Sequence, residues 1–231
     1  KTLAGIYNQT YPQKLIEVVI ADDGSSDGIE KIIPKWKKHL DIKYVRQEDE
    51  GFRVSAARNL GIKNAKHDKI IILDCDMLPV PETVEAYMNY LHISSKAVLI
   101  GYRRFVSTDN LTAEEIRKNI SLATDLPDIR TSNVIVTKAG ETGPTIDWRE
   151  KIYKETNQLK ELDYPFRVYC GGNVAFCRSI LKKTGGFDEE FKALEVAEKL
   201  KLQLKKLELI RLLSDQMLKR KRLGRDIFMR G

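Results

Sequence analysis

The stretch Lys69-Ile70-Ile71-Ile72-Leu73 has no polar alternation, and it ends abruptly at Asp74-Cys75-Asp76. A run this short and this β-branched reads as a strand buried on both faces. Such a strand needs helices above and below its sheet, which restricts the fold to the α/β class. The neighbouring sequence agrees. Ile16–Ile20 is a second β-rich run and stops at Asp22-Asp23-Gly24-Ser25-Ser26-Asp27-Gly28. Asp27 and Glu30 have the spacing of a helix cap, and a helix is expected from there to about His39. Further strands are expected at 42–45 and 97–101, and helices at 55–66 and 81–91, the last opening at Pro81. Lys1-Thr2-Leu3-Ala4 reads as the middle of a helix. This alternation predicts a mostly parallel sheet flanked by helices.

The second half is less regular. Residues 108–162 are polar and broken by Pro127, Gly140, Gly143 and Pro144, which reads as an insertion with helices at about 112–119 and 149–160. Gly171-Gly172 then makes a tight turn into a short strand ending near Phe176. A helix over 178–184 is closed by Gly185-Gly186. Beyond Phe191, the residues Val196, Leu200, Leu204, Leu207, Ile210, Leu213 and Met217 form one apolar stripe on a long amphipathic helix. The chain divides accordingly into a body, 1–191, and a basic helical tail, 192–231.

Charge follows the same division. The net charge is +7, and residues 192–231 carry all of it, with twelve Lys/Arg against five Asp/Glu. A neutral body with a basic tail is not the footprint of a nucleic-acid binder. The tail's stripe is expected to pack on the body or on a partner helix. Lys219-Arg220-Lys221-Arg222 reads as a solvated basic face, with an anionic membrane or polysaccharide as the alternative. Cys75, Cys170 and Cys177 lack zinc spacing and read as reduced thiols in a cytoplasmic protein, peripheral at most to the inner membrane face. No apolar run approaches the roughly 18 residues of a membrane span.

Two acidic clusters carry the chemistry, and both close strands. On open α/β sheets ligands bind at the carboxyl ends of strands. Asp74 and Asp76, one residue apart, are able to face one cation, and hard oxygen ligands suit Mg²⁺ or Mn²⁺. Such an ion would bridge a nucleotide diphosphate and neutralise its charge on departure. The same residues also fit an acidic turn that caps the following helix. Asp22 and Asp23 are placed to accept hydrogen bonds from a ribose or a base edge, and they fit equally well a solvated Asp/Gly/Ser turn.

Taken in order, the motifs resemble family-2 glycosyltransferases of the GT-A (Rossmann-like) fold, in particular the bacterial chondroitin-polymerase type. The matching words are Asn8-Gln9-Thr10-Tyr11-Pro12, Asp22-Asp23-Gly24-Ser25, Gly51-Phe52-Arg53 with Ala57-Arg58-Asn59-Leu60-Gly61, Leu73-Asp74-Cys75-Asp76-Met77, Gly171-Gly172-Asn173-Val174-Ala175-Phe176 and Gly185-Gly186-Phe187-Asp188-Glu189-Glu190-Phe191. The resemblance implies a UDP-sugar donor, a saccharide acceptor, a divalent metal and inversion at the anomeric carbon. It puts Asp23 on the uracil or ribose with Asp22 beside it, and Arg58 and Asn59 near the nucleotide sugar. Asp74 would touch the sugar or ribose, and Asp76, with Asp74, the metal. Gly171 and Gly172 would allow close approach beneath the sugar or acceptor, and Asp188 and Glu189 would border the acceptor.

The sequence departs from the family at both ends. The family's opening strand is not in the chain, so the body is expected to be truncated in front. The family's Glu-Asp segment, which supplies the base, and the His that completes the metal site are not legible after Phe191. Glu195 and Glu198 match that position poorly, so no catalytic base is assigned. Two readings stand: a glycosyltransferase domain with its donor site intact, or a non-catalytic fragment or degenerate paralogue that binds nucleotide sugar or serves as a scaffold.

Overall fold

The computed structural model describes residues 1–128 and 171–190, with residues 135–136, 142–143, 152, 155–156, 161 and 168–169 between them. Most of the helix expected over 149–160 lies outside these residues. So do Cys170, Phe191, Glu195, Glu198 and the whole tail.

The chain opens with α1 (Thr2–Tyr7) and a short 3-10 turn at Gln13–Leu15. There follow β1 (Glu17–Asp22), α2 (Ile29–Trp36), β2 (Asp41–Arg46), α3 (Val54–Asn64), β3 (Lys69–Leu73), α4 (Thr83–Leu91) and β4 (Val98–Ile100). Then come α5 (Ala113–Lys118), α6 (Ser121–Thr124), a small hairpin of β5 (Ile135–Val136) and β6 (Thr142–Gly143), and β7 (Asn173–Cys177). A 3-10 turn at Arg178–Ile180 leads into α7 (Leu181–Thr184). The class is α/β, as the alternation predicts. Among the described residues no helix is long and apolar enough to cross a membrane.

The strand pairing is mixed. β1 and β2 run parallel, Glu17 opposite Asp41 through Asp22 opposite Arg46, because α2 carries the chain back between them. β7 lies between β3 and β4 and runs against both, with Leu73 opposite Asn173 and Ile100 opposite Val174. β3 and β4 are therefore parallel to each other. Among the described residues no ladder joins the β1–β2 pair to the β3–β7–β4 sheet.

Strand alternation decides which face each side chain covers. From β7, Val174 and Phe176 enter a core with Ile70, Val98, Ile180 and Phe187, against which Val54, Ile62 and Ala65 of the α3 region pack. Ala175 and Cys177 point the other way, into a core with Leu99 and with Tyr87, Met88 and Leu91 of α4. All five β7 residues are buried, as a strand covered on both faces requires. A third core lies between the β1–β2 pair and the helices, where Ala4, Ile33, Trp36, Ile42 and Ile116 meet Val18 and Ile20.

Helix ends follow local chemistry. α5 has a complete capping box: the Glu115 N–H donates to Thr112 Oγ1 at 3.2 Å, and the Thr112 N–H donates to Glu115 Oε2 at 2.7 Å. α7 ends at Gly185 with φ +82°, as its sequence predicts. The cap expected from Asp27 and Glu30 is not formed. Gly28 takes the N-cap at φ +79°, and Asp27 instead accepts from the Ile29 N–H at 3.1 Å.

Burial sets the cost of truncation. Leu99 is buried in β4, whereas Ile32 stands half exposed on α2. Leu99→Ala is expected to cost about 2–5 kcal/mol of unfolding free energy in urea titration. Ile32→Ala should stay within about 0.5 kcal/mol of the parent.

Candidate functional site

Asp22, which ends β1, and Asp23, which opens the bend after it, meet different surroundings. Asp22 is buried and hydrogen-bonded throughout. Its Oδ1 accepts from the Ser25 N–H at 2.8 Å, its Oδ2 accepts from the Tyr44 hydroxyl at 2.5 Å, and Arg46 Nε lies 3.8 Å away. Burial pushes this carboxyl's pKa up, but the bonds from Ser25 and Tyr44, with the charge of Arg46, outweigh it and hold the pKa below the ordinary value. Asp23 is partly exposed. Its Oδ1 accepts from Gln47 Nε2 at 2.6 Å, and its Oδ2 accepts from the backbone N–H of Arg53 at 2.6 Å. A carboxylate has about four acceptor positions, so Asp23 keeps capacity for a ligand.

Arg53 is the N-cap of α3, so this bond ties the end of β1 to the start of that helix. The Arg53 side chain pairs with Glu50 at 2.6 Å and donates to the Glu48 carbonyl, which folds the 47–53 loop over Asp23. Phe52 in this loop is 66% exposed at the edge of the site.

Five residues further along α3, Arg58 Nη2 donates to Asp74 Oδ1 at 3.2 Å. At 1.5 Å of rise per residue the two anchor points lie about 7.5 Å apart along the helix. Asp74 follows β3 directly, and its N–H donates to the Gly172 carbonyl at 3.0 Å. The Arg58–Asp74 pair lies on the glycine turn. A Cβ on Gly171 would stand 2.4 Å from Arg58 Nη1, and one on Gly172 would stand 2.3 Å from Asp74 Oδ2. Only glycine leaves that room. The structure thus brings Arg58, Asp74, Gly171 and Gly172 together, with Asp23 bonded to the N-cap of the helix that carries Arg58.

Asn59 faces a different segment. It bonds to the backbone of Phe187 and to the carboxylate of Glu189. Asp188 Oδ1 accepts from the Glu190 N–H at 3.1 Å. Asp76 is exposed and makes no hydrogen bond with any other described residue. Among the described residues no group of three or more His, Cys, Asp or Glu is placed to hold a metal. The expected pair, Asp74 and Asp76, offers two carboxylates, and Mg²⁺ or Mn²⁺ would need no more than that if substrate phosphates and water completed the shell.

Several structural residues of the site are given no role by the sequence, although Arg53 and Asn173 fall within its motifs. Gln47 and Arg53 fix Asp23, and Tyr44 fixes Asp22. Asn173 is buried at the start of β7, accepts from the Tyr87 hydroxyl at 2.7 Å, and holds the Gly101 N–H on its carbonyl at 2.9 Å. The exposed polar loop at 47–53 was the available hint for the first two, since a loop returning to a strand end needs an anchor.

The model of glycosyl transferase family 2 matches residues 1–185. The chain is 42% identical to a hyaluronan synthase of Pasteurella multocida over 82% of its own length and 19% of that protein's. It is 45% identical to a chondroitin synthase of Pasteurella multocida over 82% of its length and 20% of that protein's. For a chondroitin synthase of Escherichia coli the values are 42%, 76% and 25%. The chain thus spans a quarter or less of the length of these relatives. Among solved structures, S. aureus TarS 1-349 in complex with UDP superposes with a TM-score of 0.57 at 18% identity, covering 92% of this chain and 53% of that one. A mannosyltransferase from Pyrobaculum calidifontis in complex with GDP-Man and Mn²⁺ gives 0.56 at 19%, covering 90% and 49%. At such identities these two likenesses show the fold alone.

The bonds to Asp22 have a signature in pH. A carboxyl whose pKa is lowered in the folded state stabilises fully above its ordinary value, here 3.8, and loses that stabilisation as pH falls through the lowered value. Asp22→Asn sets an amide against donors from Ser25 and Tyr44, at a cost of about 1–3 kcal/mol. Urea titrations should show that gap at pH 7 and a much smaller one at pH 2.5.

Proposed function

This chain belongs to glycosyl transferase family 2, and we propose that it carries the nucleotide-sugar site of an inverting, metal-assisted glycosyltransferase of polysaccharide synthesis. The donor is a UDP-sugar and the acceptor a saccharide hydroxyl, with a glycosaminoglycan chain favoured by the synthase relatives. One observation carries the reading: the Arg58–Asp74 pair is seated on Gly171–Gly172 at the carboxyl end of β3, and α3 joins it to Asp23 at the end of β1.

The proposed roles join that geometry to the family resemblance. Asp23, with acceptor capacity to spare, takes a hydrogen bond from the uracil or ribose. Asp22 underpins it from below by fixing the turn after β1. Arg58 orients the Asp74 carboxylate, which is half exposed and available to a ribose or sugar hydroxyl. The bare backbone of Gly171 and Gly172 lets the sugar or acceptor approach closely. Asp76, with Asp74, would hold Mn²⁺ or Mg²⁺ against the diphosphate. When bound, such an ion supplies the positive charge that stabilises the departing diphosphate. The acceptor hydroxyl, bordered by Asp188 and Glu189, would give its proton to a carboxylate base, for which no residue is assigned, as its oxygen bonds to the anomeric carbon from the face opposite UDP and the bond to UDP breaks; this single displacement inverts the centre.

Calorimetric titration with UDP tests this directly. Saturable binding that needs Mn²⁺ is expected in the parent chain. Asp76→Ala and Gly172→Ala should each weaken it by at least about tenfold, since the first removes a ligand and the second displaces the Asp74 carboxylate. Parent-like affinity in Asp76→Ala would remove the metal assignment. A transfer assay with a chondroitin or hyaluronan oligosaccharide then separates an enzyme from a chain that binds the donor without turnover.

A further inference from the structure

We propose that Asn59 is a positioning residue for the acceptor side of the site and not a ligand of the nucleotide sugar. The case starts from hydrogen-bonding capacity. A carboxamide has two N–H donors and one carbonyl oxygen. Asn59 Nδ2 donates to the Phe187 carbonyl at 2.7 Å and to Glu189 Oε1 at 2.7 Å, so both donors are spent. Asn59 Oδ1 accepts from the Phe187 N–H at 2.9 Å. The carboxamide thus closes a two-bond ring with Phe187, as facing residues do in a hydrogen-bonded antiparallel pair. No donor remains for a ribose, a phosphate or a base.

The preceding residue reinforces this grip. Arg58 Cζ lies 5.6 Å from the centroid of the Phe187 ring while its guanidinium holds Asp74. Phe187 itself is 3% exposed, packed in the core that contains Ile70, Val174 and Phe176. The segment is therefore fixed at three points: its ring in the core, its backbone on Asn59, and the Glu189 carboxylate on Nδ2. Two consecutive residues of α3 reach in two directions, Arg58 to Asp74 on the donor side and Asn59 to Phe187 and Glu189 on the acceptor side. The inference deepens the glycosyltransferase reading and rests on its placement of Asp188 and Glu189 at the acceptor. On that basis acceptor recognition depends on Asn59, and donor recognition does not.

The test compares the parent chain with Asn59→Ala by three measurements: amide hydrogen exchange, UDP titration in Mn²⁺, and transfer to a chondroitin oligosaccharide. Exchange at residues 187–190 should quicken by about tenfold while β7 amides keep their protection, which shows that the variant is folded. The UDP Kd should stay within about twofold, and the acceptor KM should rise by about tenfold with kcat changed far less. If Asn59→Ala does not fold, Asn59→Asp takes its place. It keeps the oxygen that accepts from Phe187 but loses both donors and sets a carboxylate beside Glu189. Adding Glu189→Gln returns a donor between the two positions and should recover part of the acceptor KM; no recovery would overturn the link to Glu189. Weakened UDP binding with unchanged exchange at 187–190 would overturn the proposal outright. Failure of the underlying function shows separately, as a parent chain that binds no UDP.

Discussion

Among the described residues the β1–β2 pair and the β3–β7–β4 sheet share no ladder, and α3 packs on both. Its Gly61 approaches β1 so closely that an added Cβ would stand 3.2 Å from the Cβ of Ala21. One residue on, Ile62 packs, together with Val54 and Ala65, against the core built on β3 and β7. The helix that spans the seam also presents Arg53, Arg58 and Asn59 to the strand ends on either side. The spacing between Asp23 and Asp74 is thus inherited from a rigid helix and from helix–sheet packing. Side chains set by such elements are placed more accurately than side chains set by loops. Even an alanine at Gly61 would need Ala21 or the helix to shift slightly, so the glycine lets α3 lie close on β1.

The carboxylates near this helix show how surroundings divide labour among like residues. Asp22 is buried, and a buried charge persists only when its lone pairs are met. Ser25 and Tyr44 bond one oxygen each with Arg46 nearby, and burial, not saturation, closes the remaining positions to a ligand. Asp76 lies at the other extreme, exposed and without a hydrogen bond to any other described residue, as a ligand for the proposed cation would be. Asp74 is between the two. Its side chain is 45% exposed and its pair with Arg58 is partly solvated, so the bond contributes at most about 1 kcal/mol to folding. Its value lies in orientation, since it aims one carboxylate oxygen at Arg58 and leaves the other toward Gly172.

The sequence makes some of this visible and hides the rest for physical reasons. The bounds of β3 are legible to the residue because a β-branched run is closed by Asp, but only Ile70 of the five is fully buried, where burial on both faces is expected for the whole run. The strands at 17–22, 41–46 and 98–100 fall within two residues of expectation. The grouping of Arg58, Asp74 and the glycine pair follows from ordered motifs that resemble a known family. What is hidden depends on long-range contacts. Which of Asp22 and Asp23 is buried depends on Tyr44, which reaches β1 from the neighbouring strand. The partners of Asn59 lie 128 and 130 residues away, beyond any local pattern. The α2 cap failed as an expectation because Gly28 offered a left-handed turn at the position where Asp27 would have had to stand.

The direction of β7 was also hidden, since alternation of side chains reads the same along a strand either way. That direction is what assembles the site. An antiparallel neighbour sets its first residues beside the last residues of its partner, and here Asn173 faces Leu73. Gly171 and Gly172, just before β7, are therefore delivered to Asp74, just after β3, and the two segments bond directly through the Asp74 N–H and the Gly172 carbonyl. With β7 parallel to β3, the glycine turn would lie a strand length away, about 16 Å at 3.3 Å per residue. Arg58 and Asp74 would then have no bare backbone beneath them. The reversed direction of β7 is thus the feature that closes the floor of the site.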